Sequence, residues 1–429
     1  MGATAKPNIV LLFGDDLGPA DLGCYGGNEI PTPNIDAMAR SGIRMTDSYV
    51  SCPYCAPTRA GLMTGRYQTH FGFEFNPGPA AQAQENFGLP LTETTVAQRL
   101  KDLGYRTGMF GKWHLGYKPE LHPTKRGFDE FFGFLGGAHS YLDAQADSAN
   151  PIYDGTTPVE KLEGYATDVY GQRAAQFIEK NKDRPFFVYV PFNAVHAPME
   201  APAKYEERFS KITDPRRRKF AAMLTALDEN VGLILRTLEK NKLTEKTLVV
   251  FLTDNGGPTA VNTSRNEPLR GFKAQMWEGG IRIPWVMQWP GQIPKGKVYS
   301  NPVIALDLLP TFVAAAGGKV DASWKVDGVD LLPYVSGKAK GVPHERLYWR
   351  FGRQWAVREG DWKLMSMGDP GASLFNLRQD VGEQKDLAAA EPARVASMKA
   401  AWDAWNAKNL DARWTPGGSG GQKKKKKRA

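Results

Sequence analysis

Four short apolar runs in this chain each end in side chains that can do chemistry. NIVLLFGDD ends in Asp15 and Asp16, and TLVVFLTDNGG ends in Asp254 and Asn255. YRTGMFGKWH ends in Lys112 and His114, and PFFVYVPFNAVH ends in His196. The two acidic clusters offer only oxygen ligands, which suit Ca2+ or Mg2+ rather than Zn2+, and the six His show no zinc spacing. Either cluster alone reads equally well as turn or helix-cap residues. Two of them, each closing an apolar strand, favour a divalent-cation site.

A fifth stretch, SCPYCAPTRAGLMTGRY from Ser51 to Tyr67, holds two of the three cysteines. Read from Cys52, CPYC looks like a thiol–disulfide redox pair. Read from Cys55, CAPTR is a different signature. Pro57 suits the start of a helix and Gly65 its end, so Cys55 is expected just before a helix N-terminus. The partial positive charge there favours an anion and lowers a thiol pKa. Arg59, four residues on, would face the same place.

These residues need a scaffold that brings them together. The apolar runs alternate with helix patterns, such as NIDAMARSG with Gly42 as a stop and the segment from Phe220 to Lys240. That alternation predicts an α/β fold with a large, mostly parallel sheet sandwiched by helices. Ligands in such sheets bind beyond the carboxyl ends of the strands, so all four clusters should converge there. After about Gly318 the pattern changes to closely spaced strands, LYWRF, WAVREG, DWKLMS and SLFNL, with a turn at Glu359-Gly360-Asp361. A helix from roughly Glu391 to Lys408 follows. The expected division is a catalytic α/β domain over 1–325, a small antiparallel-sheet domain with one helix over 326–412, and a flexible linker with a basic tail over 413–429.

Bulk properties narrow the class. Apolar residues at 41% and charged residues at 24% describe a soluble globular chain, and no apolar run is long enough to span a bilayer. The formal charge is +9, but Lys423 to Lys427 and Arg428 supply six of the positive charges, which leaves +3 on the rest. A nucleic-acid partner is therefore not expected. The tail reads as a solvated charge run or as an electrostatic contact to a polyanion. Three cysteines make no disulfide framework. MGATAKPNIV carries no signal-peptide pattern, so the chain is either cytoplasmic or an exported protein whose signal has been removed.

With these residues in view, CAPTR continuing into AGLMTGRY resembles the signature of the type I sulfatases, in the alkaline phosphatase superfamily. There, a C-x-P-S/T/A-R cysteine becomes formylglycine. NIVLLFGDDLG with DLGCYGG, TPNIDAMARSGIRMTDSYV, YRTGMFGKWHLG, FFVYVPFNAVHAP, LTDNGG, LRGFKAQMWEGGIRIP and DLLPTF resemble sulfatase blocks in the family's order. REGDWKLM and LFNLRQDVGEQKDLA resemble its C-terminal end. Thr58 replaces the commoner Ser. The resemblance implies an alkaline-phosphatase-like core and hydrolysis of sulfate esters, with a sulfated carbohydrate as substrate and aryl sulfates as model substrates.

The resemblance also implies roles. Cys55, converted by a formylglycine-generating enzyme and hydrated, would attack sulfur. Ca2+, rather than Mg2+, would sit among Asp15, Asp16, Asp254, Asn255 and residue 55. Arg59 and Lys112 would hold the hydrate. His196 and Lys273 would bind sulfate and protonate the departing oxygen. His114 would take the proton of the second hydroxyl, expelling sulfate and restoring the aldehyde. His70, His122 and His344 read as structural, Cys24 as a small buried residue, and His139 as either structural or substrate-facing. The pocket rim is expected from 76–93, 138–167 and 259–267. Family members are often exported, which implies a periplasmic or secreted location. The enzyme alternative is a phosphonate monoester or phosphodiester hydrolase of the same superfamily. The remaining alternatives are a polyanion-binding protein without turnover and a thiol redox enzyme.

Overall fold

The computed structural model describes residues 6–80 and 87–415. Its main sheet runs, edge to edge, through Lys297–Tyr299, Ile43–Met45, Trp285–Gln288, Thr247–Thr253, Asn8–Gly14, Phe186–Pro191, Arg106–Lys112, Glu130–Phe134, Tyr153–Asp154 and Thr157–Pro158. The five strands from Thr247–Thr253 to Glu130–Phe134 are mutually parallel. Trp285–Gln288 and the two short strands at the far edge are antiparallel to their neighbours. The sheet is therefore mixed and mostly parallel.

The central strand explains the layering. Ile9, Leu11 and Phe13 enter the core on one face, and Val10 and Leu12 enter the core on the other. This is the period of two that a strand buried on both faces requires. Helices Val96–Asp102, Leu308–Ala315 and Cys55–Thr64 cover the first face, through Leu100, Phe312 and Leu62 among others. Helices Pro33–Ser41, Ala166–Asn181 and Pro215–Lys240 cover the second, through Met38, Tyr170 and Leu227. Each such fully buried side chain contributes about 1.5–3 kcal/mol.

The long helix begins at Pro215, earlier than the apolar pattern suggested. Pro215 occupies its first turn and Asp214 accepts the Arg216 N–H at 2.9 Å, while Arg216 to Lys219 carry no apolar signal. The helix at the cysteine also starts earlier. It runs Cys55–Thr64 with Tyr54 as its cap, so Cys55 is the first helical residue rather than the one before it.

A second sheet pairs Arg346–Phe351, Gln354–Glu359, Trp362–Ser366 and Ser373–Asn376 in sequence order, all antiparallel. Gly360, at φ +56°, makes the tight turn expected at Glu359-Gly360-Asp361. Helix Pro392–Asn406 packs on this sheet, with the Trp402 Nε1 donating to Trp349 O at 3.0 Å. The chain is still packed at Trp414, which was read from sequence as linker. Its indole is buried against Phe73 and Phe87 and donates to the carbonyls of Phe75 and Asn76. The basic tail Lys423–Arg428 lies outside the described residues. Cys24 is half-buried rather than buried. Among the described residues, no helix is long and apolar enough to cross a membrane.

Candidate active site

Parallel pairing sets the site. Gly14 pairs with Thr253 and Phe13 with Pro191, so the residues that follow these strands emerge at one edge of the sheet. Arg106–Lys112 runs the same way, next to Phe186–Pro191. Asp15, Asp16, Asp254, Asn255, Lys112, His114 and His196 therefore meet there, as the alternation of strands and helices predicted. Cys55 and Arg59 come from the helix beneath that edge, and Lys273 from a loop above it.

The carboxylates meet cations directly. Asp15 Oδ2 lies 2.5 Å from Lys112 Nζ and 3.3 Å from Arg59 Nη2. The same Arg59 nitrogen lies 3.0 Å from Asp254 Oδ2, and Arg59 Nη1 donates to Lys112 O at 3.0 Å. Asp16 accepts Lys273 Nζ at 2.7 Å and the Asn255 amide at 2.7 Å, with His196 Nε2 at 3.5 Å. Cys55 Sγ sits 3.8 Å from Asp15 Oδ1. Asp16 and His114 both adopt φ +59°, a left-handed conformation costly for residues with a Cβ.

Burial and charge compete throughout. Burial alone would raise the Asp16 carboxyl, yet Lys273 and His196 outweigh it and hold the group below its ordinary value. Asp15 behaves alike, with Lys112 as its main counter-charge. Burial would lower the Lys273 ammonium, and Asp16 more than reverses that, raising it well above its ordinary value. His114 is held well below its ordinary value, by burial first and then by Lys112 and Arg59. Burial also pushes the Cys55 thiol up to about 12 and the Cys52 thiol well above its ordinary value. Reactive redox thiols are exposed and acidic; these are neither.

A cation fits the donor set. One ligand atom from each of Asp15, Asp16, Cys55 and His196 lies within 4.8 Å of every other. Asn255 Oδ1 is buried with no hydrogen-bond partner. Asp254 turns one oxygen to Arg59 and the other to the Asp16 N–H. His196, read from sequence as a sulfate-binding group, thus also offers a nitrogen to this cluster.

The remaining histidines divide cleanly. His70 pairs with Asp327 at 3.2 Å, His344 with Asp307 at 2.8 Å, and His122 with Thr124 at 2.9 Å, which gives all three local partners. His139 is buried, its Nδ1 2.9 Å from Ser140 O and its Nε2 without a partner. Two residues escaped the sequence reading. Asn262, from the expected rim segment, is instead a buried brace that donates to both Asp16 O and Val195 O. Gln354, on the small sheet, reaches the Lys273 loop. No local pattern marks either. A cleft of about 910 Å3 is lined by 208–214 and by Thr259, Thr263, Arg265 and Glu267, and by none of the candidate catalytic side chains.

The fold and the site together define a mixed, mostly parallel α/β core with a buried carboxylate, lysine and histidine cluster at its carboxyl edge. Residues 7–318 match the sulfatase family model, and residues 272–401 match that of the N-sulphoglucosamine sulphohydrolase C-terminal region. The chain belongs to the formylglycine-dependent sulfatase family and is a sulfuric ester hydrolase. It is 36% identical to human arylsulfatase A, over 93% of this chain and 87% of that one. It is 35% identical to N-acetylgalactosamine-6-sulfatase of Canis lupus familiaris, over 84% of this chain and 72% of that one. The solved structure of Ps i-CgsB in complex with k-i-k-neocarrahexaose superposes with a TM-score of 0.90 at 36% identity, over 95% of this chain and 94% of that one.

Proposed function

We propose that this sulfatase removes sulfate from a sulfated carbohydrate, with formylglycine at position 55 as nucleophile and Ca2+ as its cation. The observation that carries this reading is the burial of Cys55 beside Asp15, at the first turn of a helix and at the carboxyl edge of the sheet. The k-i-k-neocarrahexaose in complex with Ps i-CgsB and the amino-sugar name of the canine relative support the carbohydrate.

In this reading Asp15, Asp16, Asp254, Asn255 and residue 55 hold the cation, which when bound stabilises negative charge on the nucleophile and on sulfate oxygens. Arg59 and Lys112 orient residue 55 through Asp15 and neutralise charge as it moves. Lys273 and His196 face the opposite side of Asp16 and grip sulfate. Lys273 gives a proton to the departing oxygen. His114, kept neutral by burial, accepts the proton of the second hydroxyl of the hydrated residue 55, which releases sulfate and restores the aldehyde.

Two measurements test this together. The tryptic peptide Met45–Arg59 from protein made in its own host should carry an aldehyde in place of the Cys55 thiol. Rates on an aryl sulfate should exceed those on an aryl phosphodiester, and Cys55→Ala should abolish both. An unmodified thiol in protein from that host removes the nucleophile. Faster phosphodiester cleavage reassigns the substrate class.

A further inference from the structure

The Lys273 loop belongs to the catalytic sheet by sequence, but the small sheet holds it in place. Gln354 Nε2 donates to Ala274 O at 2.9 Å, and Gln354 Oε1 accepts the Met276 N–H at 3.1 Å. One amide thus clamps both sides of Gln275. Lys363 Nζ donates to Met276 O at 2.7 Å and also pairs with Glu278 and Glu383. Glu383 accepts the Glu278 N–H at 2.7 Å, and its own carbonyl accepts Arg270 Nη1 at 2.8 Å. Trp277 packs its ring against Phe375 at 5.7 Å.

The loop needs such support. Ala274, directly after Lys273, adopts φ +68°, a conformation an alanine resists. Its N–H donates to Pro53 O at 2.8 Å, two residues before Cys55. The turn that aims Lys273 is therefore caught between the nucleophile segment on one side and Gln354 on the other. Nothing else on the small sheet bonds to Ala274 among the described residues.

We propose that Gln354 is a positioning residue for catalysis: its amide fixes the strained turn at Ala274 and so holds the Lys273 ammonium at the leaving oxygen. This rests on the reading of Lys273 as the group that protonates that oxygen. The small sheet is then part of the catalytic apparatus. A displacement of about 1 Å at a reacting group costs up to about a hundredfold in rate.

The test compares Gln354→Leu, Lys273→Ala and the double variant of the full-length, formylglycine-bearing enzyme on substituted phenyl sulfates with phenols of graded acidity. Gln354→Leu is expected to lower kcat about ten- to a hundredfold on the poorest leaving groups, with a smaller loss on 4-nitrophenyl sulfate. The double variant should be no slower than Lys273→Ala alone, because a residue that acts only through Lys273 has nothing left to position. Equal losses across the series, or losses that multiply in the double variant, overturn the proposal. If Lys273→Ala itself slows all substrates equally, the acid role of Lys273 fails. The double variant still decides whether Gln354 works through Lys273. Gln354→Glu keeps the acceptor for Met276, loses the donor to Ala274 and sets a charged carboxylate oxygen against the Ala274 carbonyl. It serves where the leucine variant does not fold, and the same dependence on leaving group and on Lys273 is expected of it.

Discussion

Lys273 Nζ lies 2.7 Å from Asp16 Oδ1, across 257 residues of chain, and Asp16 is itself bent into a left-handed turn to receive it. With Lys112 on Asp15 and Arg59 shared by Asp15 and Asp254, every acidic side chain of the cluster already has a cation partner. The unpartnered Asn255 Oδ1 and the all-oxygen character of the acidic set point to a further hard cation.

Added Ca2+ should therefore stabilise the fold as well as support turnover. At a hundredfold excess over Kd the gain is about 2.7 kcal/mol. Differential scanning of chelated protein with Ca2+ or Mg2+ should show a larger rise in Tm with Ca2+. Asp16→Asn should remove that response. A Tm indifferent to Ca2+ would remove the cation from the site.

Arg59 tests the buried electrostatics. Its guanidinium is 1% exposed, reaches two carboxylates and the Lys112 carbonyl, and lies over the Phe13 ring at 5.1 Å. Arg59→Ala leaves Asp15 and Asp254 short of a partner and should cost about 3–5 kcal/mol in urea unfolding. Arg59→Lys keeps the charge but cannot span all three acceptors. It should recover part of the stability and little of the activity.

The Glu278–Lys363–Glu383 cluster between the two sheets gives a pH signature. Two buried carboxylates share one ammonium, and burial with the charge of Glu278 pushes Glu383 up to about 7. A carboxyl raised above its unfolded value of about 4.3 keeps a proton that the unfolded chain releases. Its contribution is thus fully present below that value and is lost as pH rises through about 7, by at most about 1.4 kcal/mol per pH unit. Urea unfolding of wild type and Glu383→Gln between pH 5 and pH 8 should differ by that slope. Parallel curves would show that the pair does not titrate there.

The sequence carried the convergence of the site because strand order and direction were written in local patterns. Asp15-Asp16, Lys112-x-His114, His196 and Asp254-Asn255 each follow a readable apolar strand, and parallel pairing puts such positions at one edge. The two-sheet architecture was legible for the same reason. Helix starts were less so. The polar first turn at Arg216–Lys219 and the capping position of Tyr54 lack apolar periodicity. Least visible were long-range braces. Gln354 and Asn262 act through main-chain atoms 80 and 246 residues away, and no spacing rule encodes that.

Asn262 is the sharper case of the two. Its side chain is fully buried; Nδ2 donates to Asp16 O at 2.9 Å and Val195 O at 3.0 Å, and Oδ1 accepts the Ser264 N–H at 3.0 Å. It thereby fastens the segments that follow two strands, Asn8–Gly14 and Phe186–Pro191, behind the acidic cluster. Asn262→Leu fills the volume but leaves two carbonyls and one N–H unpaired, each at about 1–3 kcal/mol before relaxation. The expected result is a lower Tm and a weakened Ca2+ response, because Asp16 loses its backbone anchor. Asn262→Asp should be worse still, since it loses the donor and adds a negative charge beside Asp16. If Asn262→Asp matched wild type in both Tm and Ca2+ response, the brace would have no role in holding Asp16.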